Sequence, residues 1–325
     1  MSILYFCPVL ATPSGGVRVI YQHSELLERN GIPSQVVHPE DSSYRCRWFD
    51  SKTSIRRGSN VDPTGDFVVV PEVWAANGGK HFHQSGVSFA IFVQNGYLMR
   101  HGVGDLGRSE LRAAYEHASL ILSISEDTTK VITLKYPGID KSKIVRLLPG
   151  IQPGFSPGVK EKIISFMPRK LREHSEVVTY LVADLLPPDW KIVPIDAVTE
   201  NDVARLFARS SIFMSFCDQE GLGLPPLEAA FSGNLVVGYT GQGANEYFAE
   251  PVFRRIENGD FIAFTRAVLQ SIEDVEKGIL RDPGLVHQTE QLRNDYSLNA
   301  AVGPLLAFGR RAESCRSGGA RSTTA

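Results

Sequence analysis

The 325-residue chain carries 34 lysines and arginines against 36 aspartates and glutamates, for a formal net charge of -2, and 42% of its residues are hydrophobic. That balance argues against a whole-chain nucleic-acid binder, and the length exceeds one average domain, so two domains of about 150 residues are the natural expectation. Four cysteines, Cys7, Cys46, Cys217 and Cys315, show no C-x-x-C spacing, which speaks against a zinc site or a disulfide framework and for a reducing cytoplasm.

Residues 3–7 form a short apolar run, followed by the turn Thr12-Pro-Ser-Gly-Gly16 and by Val17, Ile20, Tyr21 and Leu27 at helical spacing until Gly31. The apolar stretch 3–11 lacks a basic n-region, so it reads as a first strand and not as a signal peptide. Further strands are expected at 35–38, 67–70, 87–93, 120–124 and 144–148, with helices at 109–117 and 126–136. Short apolar strands alternating with helices predict a parallel α/β sheet covered on both faces. No apolar stretch reaches the roughly 18 residues that span a bilayer.

Several residues of this half sit where strands end. Gly15 and Gly16 lie on the first strand-helix turn. Glu72 follows the third strand in PEVW, and Gln94, Asn95 and Tyr97 follow the fourth in FVQNGY, where Asn95-Gly96 is also a turn signal. Ser125, before Glu126, suits an N-cap. Arg45, Arg47, Trp48, Lys52, Arg56 and Arg57 make a basic, partly aromatic segment that reads either as a solvated, mobile loop or as a holder of an anionic acceptor or membrane surface. His81 and His83 have no matching third ligand, so no metal site is read.

The stretch 149–162, PGIQPGFSPGVKEK, holds three prolines and three glycines in fourteen residues and reads as a linker. Alternation then resumes, with strands expected at 163–167, 191–195, 211–216, 234–238 and 252–254. Helices are expected at 171–185, 200–208, 224–232, 243–249 and 260–277. A last helix near 298–312 is expected to rejoin the first domain. The tail 313–325 has no apolar period and predicts disorder. The expected domains are 1–152 and 153–297.

The most informative stretch is 217–248. Glu220 and Glu228 stand on either side of Gly221, Leu222, Gly223 and Leu224, and Pro225 and Pro226 suit a first helical turn. A strand, a glycine turn and a helix in that order expose N–H groups and the positive end of a helix dipole to a phosphate. Carboxylates accept bonds from hydroxyls and repel phosphate, so two of them around such a cradle point to a diphosphate with hydroxyls on both sides. A nucleotide-sugar is such a ligand.

Those residues resemble the E-x7-E signature of retaining GT-B glycosyltransferases, the large family that includes sucrose synthases and bacterial surface-glycan transferases. The likeness runs through EGLGLPPLEAAFSG to Gly241, Gly243 and Glu246, with Asn234 where the family often has proline, and Pro149, Gly150, Ile151, Phe155 and Pro157 match its interdomain segment. It implies two Rossmann-like domains facing across a cleft, with the donor mainly on the second and the acceptor mainly on the first. It implies transfer of a sugar from a nucleotide diphosphate sugar to a glycan or lipid-linked acceptor, with retention and without a metal or other cofactor. Glu220 would hold the sugar and Glu228 the ribose, both facing the ligand and not a core partner. Arg169 matches a diphosphate-binding arginine, while His174 stands where a lysine is usual, leaving Lys170 or Arg172 as substitutes. A glycine pair matching Gly15 and Gly16 approaches the donor in the family, and Glu72, Gln94 and Asn95 are acceptor-side candidates. The expected location is cytoplasmic, with peripheral contact at the inner face of the membrane. A GT-B epimerase and a catalytically silent nucleotide-sugar-binding module are the rival readings. A nicotinamide-dependent dehydrogenase is disfavoured, because Ser14-Gly15-Gly16-Val17 supplies no G-x-G-x-x-G.

Overall fold

The computed structural model describes residues 1–319 other than Ala11 and Ser42. The chain divides into two compact units, Met1–Pro149 together with the residues from Ala301 onward, and Gly150–Ala300. The division falls inside the proline- and glycine-rich stretch.

In the first unit the order is β1 (Ser2–Phe6), α1 (Gly15–Arg29), β2 (Ser34–Val37), β3 (Ile55–Arg56), β4 (Asp66–Pro71), α2 (Ala75–Gln84), β5 (Phe89–Val93), α3 (Arg108–His117), β6 (Leu120–Ser123), α4 (Glu126–Lys135) and β7 (Ile144–Arg146). The strands form one sheet in the order β3-β2-β1-β4-β5-β6-β7, with parallel pairing throughout. Every residue of β4 and β5 is buried. That is what helices on both faces of a parallel sheet demand. Leu4, Val68, Ile91 and Val93 meet Phe82 of α2 and Leu111 of α3 in the core.

Two elements here differ from expectation. Helix α2 has two adjacent glycines, poor helix formers, yet Ala75, Ala76 and Phe82 are buried, so packing overrides propensity. The basic segment is pinned rather than loose. Thr53 Oγ1 donates to Ser24 at 2.7 Å, Ser54 donates to Glu28 at 2.6 Å, Ser51 donates to Glu25 at 2.8 Å, and Arg56 pairs with Asp66 at 2.9 Å. These bonds bring the chain into β3 at the sheet edge.

In the second unit the order is β8 (Ile163–Phe166), α5 (Arg172–Ala183), β9 (Lys191–Pro194), α6 (Glu200–Arg209), β10 (Ile212–Glu220), α7 (Leu224–Phe231), β11 (Leu235–Gln242), β12 (Phe253–Arg255), α8 (Phe261–Glu276) and α9 (Pro283–Tyr296). Its sheet is parallel in the order β12-β11-β10-β8-β9. Helix α9 was not foreseen from the sequence. Asp282 caps it, with Pro283 in its first turn. The helix expected over 243–249 is only a short 3-10 turn, Gly243–Glu246.

Helix α10 (Leu298–Gly319) closes the described chain, and its residues from Ala301 on belong to the first unit. The tail expected to be disordered from residue 313 is therefore helical through Gly319. Arg311 donates to the Ser142 carbonyl at 2.6 Å, and Arg316 donates to that of Thr64, so the last turns have partners that composition does not reveal. Residues 320–325 of that tail lie outside the described residues.

Candidate active site

Each sheet has one point where the chain reverses its progression across the strands, between β1 and β4 in the first unit and between β8 and β10 in the second. Loops leaving neighbouring strands there diverge to opposite faces, which opens a crevice at the carboxyl edge where α/β proteins bind ligands.

In the second unit that position is occupied by Arg169 and Lys170 after β8 and by the end of β10. Strand β10 runs on to Glu220, which pairs with Gln242 of β11 across an irregularity that starts at Cys217. Gln219 and Gln242 both have positive φ, 46° and 74°, and are two of three non-glycine residues so placed among the described residues. Such strain persists only where surroundings hold it, and it collects at functional sites. The surroundings here are tight. A Cβ on Gly243 would lie 2.4 Å from the Gly221 carbonyl group, so this glycine is required for the two loops to pack. Gly223, at φ 82°, caps α7, and the Tyr247 hydroxyl donates to its carbonyl at 2.5 Å.

Helix α7 begins at Leu224 with Pro225 and Pro226 in its first turn. Those prolines carry no N–H, so the donors that remain for an anion are those of Gly221 to Leu224. The Leu222 side chain is 2% exposed and faces the core, leaving only its backbone for a ligand. Glu228 is also buried, at 7% exposure. Glu220 is more open, and the Lys170 ammonium lies 2.6 Å from its Oε1. The cation beside the first glutamate is thus Lys170. His174 instead packs edge-on against Tyr239 and Phe261, with Nδ1 3.3 Å from the Tyr239 hydroxyl. Arg169, one residue before Lys170, is exposed. Burial pushes the nearby Cys217 thiol up to about 12, which removes it as a nucleophile. Glu246 accepts a bond from the Tyr296 hydroxyl at 2.9 Å, so its part in the motif includes fixing α9 to the 241–246 loop.

In the first unit Gly15 and Gly16 open α1, whose Ser14 cap makes no side-chain bond. The Gly16 Cβ position lies 3.4 Å from the Gln94 amide, so these two candidates are neighbours. Gln94 Oε1 is buried without a hydrogen-bond partner. Asn95 caps the following 3-10 helix, and its Oδ1 accepts the Tyr97 N–H at 2.9 Å. Glu72, an acceptor-side candidate, is turned inward. It is 4% exposed and its Oε1 accepts the Asn95 N–H at 3.0 Å, while burial raises its carboxyl to about 7. Tyr97 in turn donates to Asp127 at 2.9 Å, an acid that drew no notice in the sequence because it follows an ordinary N-cap. His83 stacks on His117, ring centroids 3.7 Å apart, and does not act with His81.

No protein-family model matches the chain. In sequence it is 25% identical over 290 residues to an alpha-1,6-glucosyltransferase of Actinobacillus pleuropneumoniae serotype 7 (strain AP76), covering 85% of this chain and 84% of that protein. Among solved structures it is similar to a glycosyltransferase of Rickettsia africae ESF-5 (TM-score 0.67, 15% identity, 96% of this chain and 98% of that one). It is likewise similar to a sucrose-phosphate synthase of Thermosynechococcus elongatus (TM-score 0.69, 11% identity, 98% and 100%). A third match is HepE of Anabaena in complex with UDP and glucose (TM-score 0.66, 12% identity, 95% and 99%). The chain is therefore similar in sequence to a glucosyltransferase, and its two parallel α/β sheets carry the GT-B glycosyltransferase fold.

Proposed function

We propose that the protein transfers a sugar from a nucleotide diphosphate sugar to a glycan or lipid-linked acceptor, with retention at the anomeric carbon, in the synthesis of a bacterial surface glycan. The observation that carries this reading is the meeting of Lys170 with Glu220 at the switch point of the second sheet, beside the start of α7, the helix that carries Glu228. A cation, a hydroxyl-binding carboxylate and a row of backbone N–H groups are the parts a sugar diphosphate needs. The match to a glucosyltransferase and the UDP and glucose held by the Anabaena neighbour support a uridine donor carrying a hexose.

In this reading Arg169, Lys170 and the N–H groups of Gly221 to Leu224 stabilise the charge that grows on the departing diphosphate, a role in which preorganised donors act most strongly. No metal is required, because these cations and N–H groups take its place. Glu220 holds the sugar hydroxyls and Glu228 the ribose. Gln94, with Asn95 ordered beneath it by Glu72, meets the acceptor. The acceptor attacks the face that the diphosphate leaves, and the leaving oxygen takes its proton. The protein works from the cytoplasmic side of the membrane, and among the described residues no helix is long and apolar enough to cross one.

The reading is tested by a thermal-shift screen across nucleoside diphosphates and their sugars, followed by NMR of the product formed with the best donor. A raised melting temperature with UDP and a product of unchanged anomeric configuration are expected, and activity should persist in EDTA. Donor epimerised without any acceptor, an inverted product, or activity lost in EDTA and restored by manganese would each refute the corresponding part.

A further inference from the structure

The far end of α7 is held by an arrangement that the proposed chemistry does not use. A helix leaves its last four carbonyl groups without intrahelical donors. In α7 they are accounted for one by one. Ser232 Oγ donates to Glu228 O at 2.9 Å, Asn234 Nδ2 donates to Ala229 O at 2.9 Å, and the Gly233 N–H donates to Ala230 O at 2.9 Å. The Arg293 guanidinium, from α9, donates to Phe231 O and lies 5.2 Å over the Phe231 ring. The next carbonyl, Ser232 O, accepts from Lys160 Nζ at 2.5 Å.

Lys160 does more than cap one helix. Its ammonium also donates to Phe207 O at 3.1 Å and to Ser210 O at 2.7 Å, at the end of α6, so all three of its donors serve the ends of two helices. Asn234 repeats the bridge, because its Nδ2 donates to Phe207 O at 2.9 Å as well as to α7. Asn234 is fully buried and Lys160 half-buried, and loss of solvent around it draws the Lys160 ammonium down to about 7. A proline at 234 would supply none of these amide donors. A cation drawn partly out of water is costly unless carbonyl groups receive it, and this one is held at the negative end of the helix whose other end is the proposed donor site.

We infer that Lys160 and Asn234 are positioning residues, a polar clamp that joins the ends of α6 and α7 and thereby fixes the opposite end of α7 and Glu228 for the nucleotide diphosphate. This rests on the reading of α7 as the donor helix. The helix is only eight residues, about 12 Å, so a rotation allowed at one end is felt at the other.

Lys160→Met keeps the length of the side chain and removes its donors, and Asn234→Leu does the same for the amide. Lys162→Met, which breaks only exposed pairs with Asp189 and Glu276, is the control. Amide hydrogen exchange is measured on the unliganded proteins, and UDP, ADP and GDP are then titrated well below the melting temperature. Both clamp variants are expected to exchange at least about tenfold faster over 227–234, to leave β8 and α5 at the wild-type rate, and to bind the nucleotide at least about fivefold more weakly. The control should change neither. Unaltered exchange over α7 overturns the clamp. Faster exchange with wild-type nucleotide affinity overturns its positioning role and leaves only a contribution to stability. If Lys160→Met does not fold, Asn234→Leu carries the same two readouts. Wild-type protein that binds none of the three nucleotides overturns the donor reading itself, a failure told apart from that of the clamp by the exchange rates.

Discussion

Glu220 and Glu228 meet different surroundings, and that difference separates their proposed roles. Glu220 ends β10 in a partly exposed pair with Lys170, an arrangement that contributes little to stability and leaves both groups available to exchange partners when a diphosphate arrives. Glu228 is buried in α7. Glu228→Gln should weaken bare nucleotide and intact donor alike, since a charge-assisted hydrogen bond is worth roughly 1.5–3 kcal/mol, or about ten- to a hundredfold in affinity. Glu220→Gln should leave bare nucleotide binding nearly unchanged while transfer falls by a similar or larger factor. Calorimetric titration of both variants decides this, and equal losses for bare nucleotide would refute the division of roles. Glu72 carries a prediction of its own. Its folded carboxyl titrates at about 7 because burial disfavours the charge, above the ordinary value of 4.5. Between those values the folded state binds more proton than the unfolded, so stability falls as pH rises through the window, by up to roughly 3 kcal/mol. Glu72→Gln keeps an acceptor for the Asn95 N–H and removes the titration. Denaturant melts at pH 5 and pH 8 should show a smaller loss for the variant than for wild type, and an identical pH slope would exclude this carboxyl as the cause.

At the scale of elements, the proposed phosphate cradle depends on the loop 241–246 as much as on the loop that would touch the ligand. Gly243 packs with no room against the Gly221 carbonyl, and the strained Gln219 and Gln242 stand on either side of that contact. Gly243→Ala must therefore push the Gly221 to Leu224 N–H row out of place or distort β11. Overpacking of this kind costs typically about 1–3 kcal/mol. Nucleotide affinity should drop at least about tenfold while the far-UV circular dichroism is unchanged. Unaltered affinity would show that this row does not bind the diphosphate. The two prolines sharpen the dependence, because by removing N–H groups from the first turn of α7 they leave the loop before it as the source of donors in the proposed site.

For the molecule as a whole, α10 connects the two ends of the chain's course. Its residues from Ala301 on complete the first unit, where Leu305, Phe308 and Ala312 are buried and the Phe308 ring meets Phe67 edge-on at 6.1 Å. Phe308→Ala should cost about 3–5 kcal/mol, the usual range for emptying an aromatic site in a core, measured as a lowered denaturant midpoint at constant slope. A loss under about 1 kcal/mol would mean that the first unit does not need the helix.

The strands of both sheets other than β3, the glycine turn before α7 and the stretch where the units divide were legible because they depend on local chemistry. A strand buried on both faces must be an apolar run, and a helix that starts after a glycine with prolines in its first turn announces itself. Helix α2 was hidden by its glycines, and α9 passed unnoticed despite an Asp-Pro start. The pinning of 51–54 by Glu25 and Glu28 joins residues some 25 or more positions apart. The choice of Lys170 over His174, the burial of Glu72 and Glu228, and the need for glycine at 243 are of the same kind. Each is settled by which side chain or carbonyl the fold brings alongside, and burial and hydrogen-bond partnership are properties of neighbours in space. Residue identity limited what each position was able to do. Only the packing of distant segments decided which of those possibilities it took.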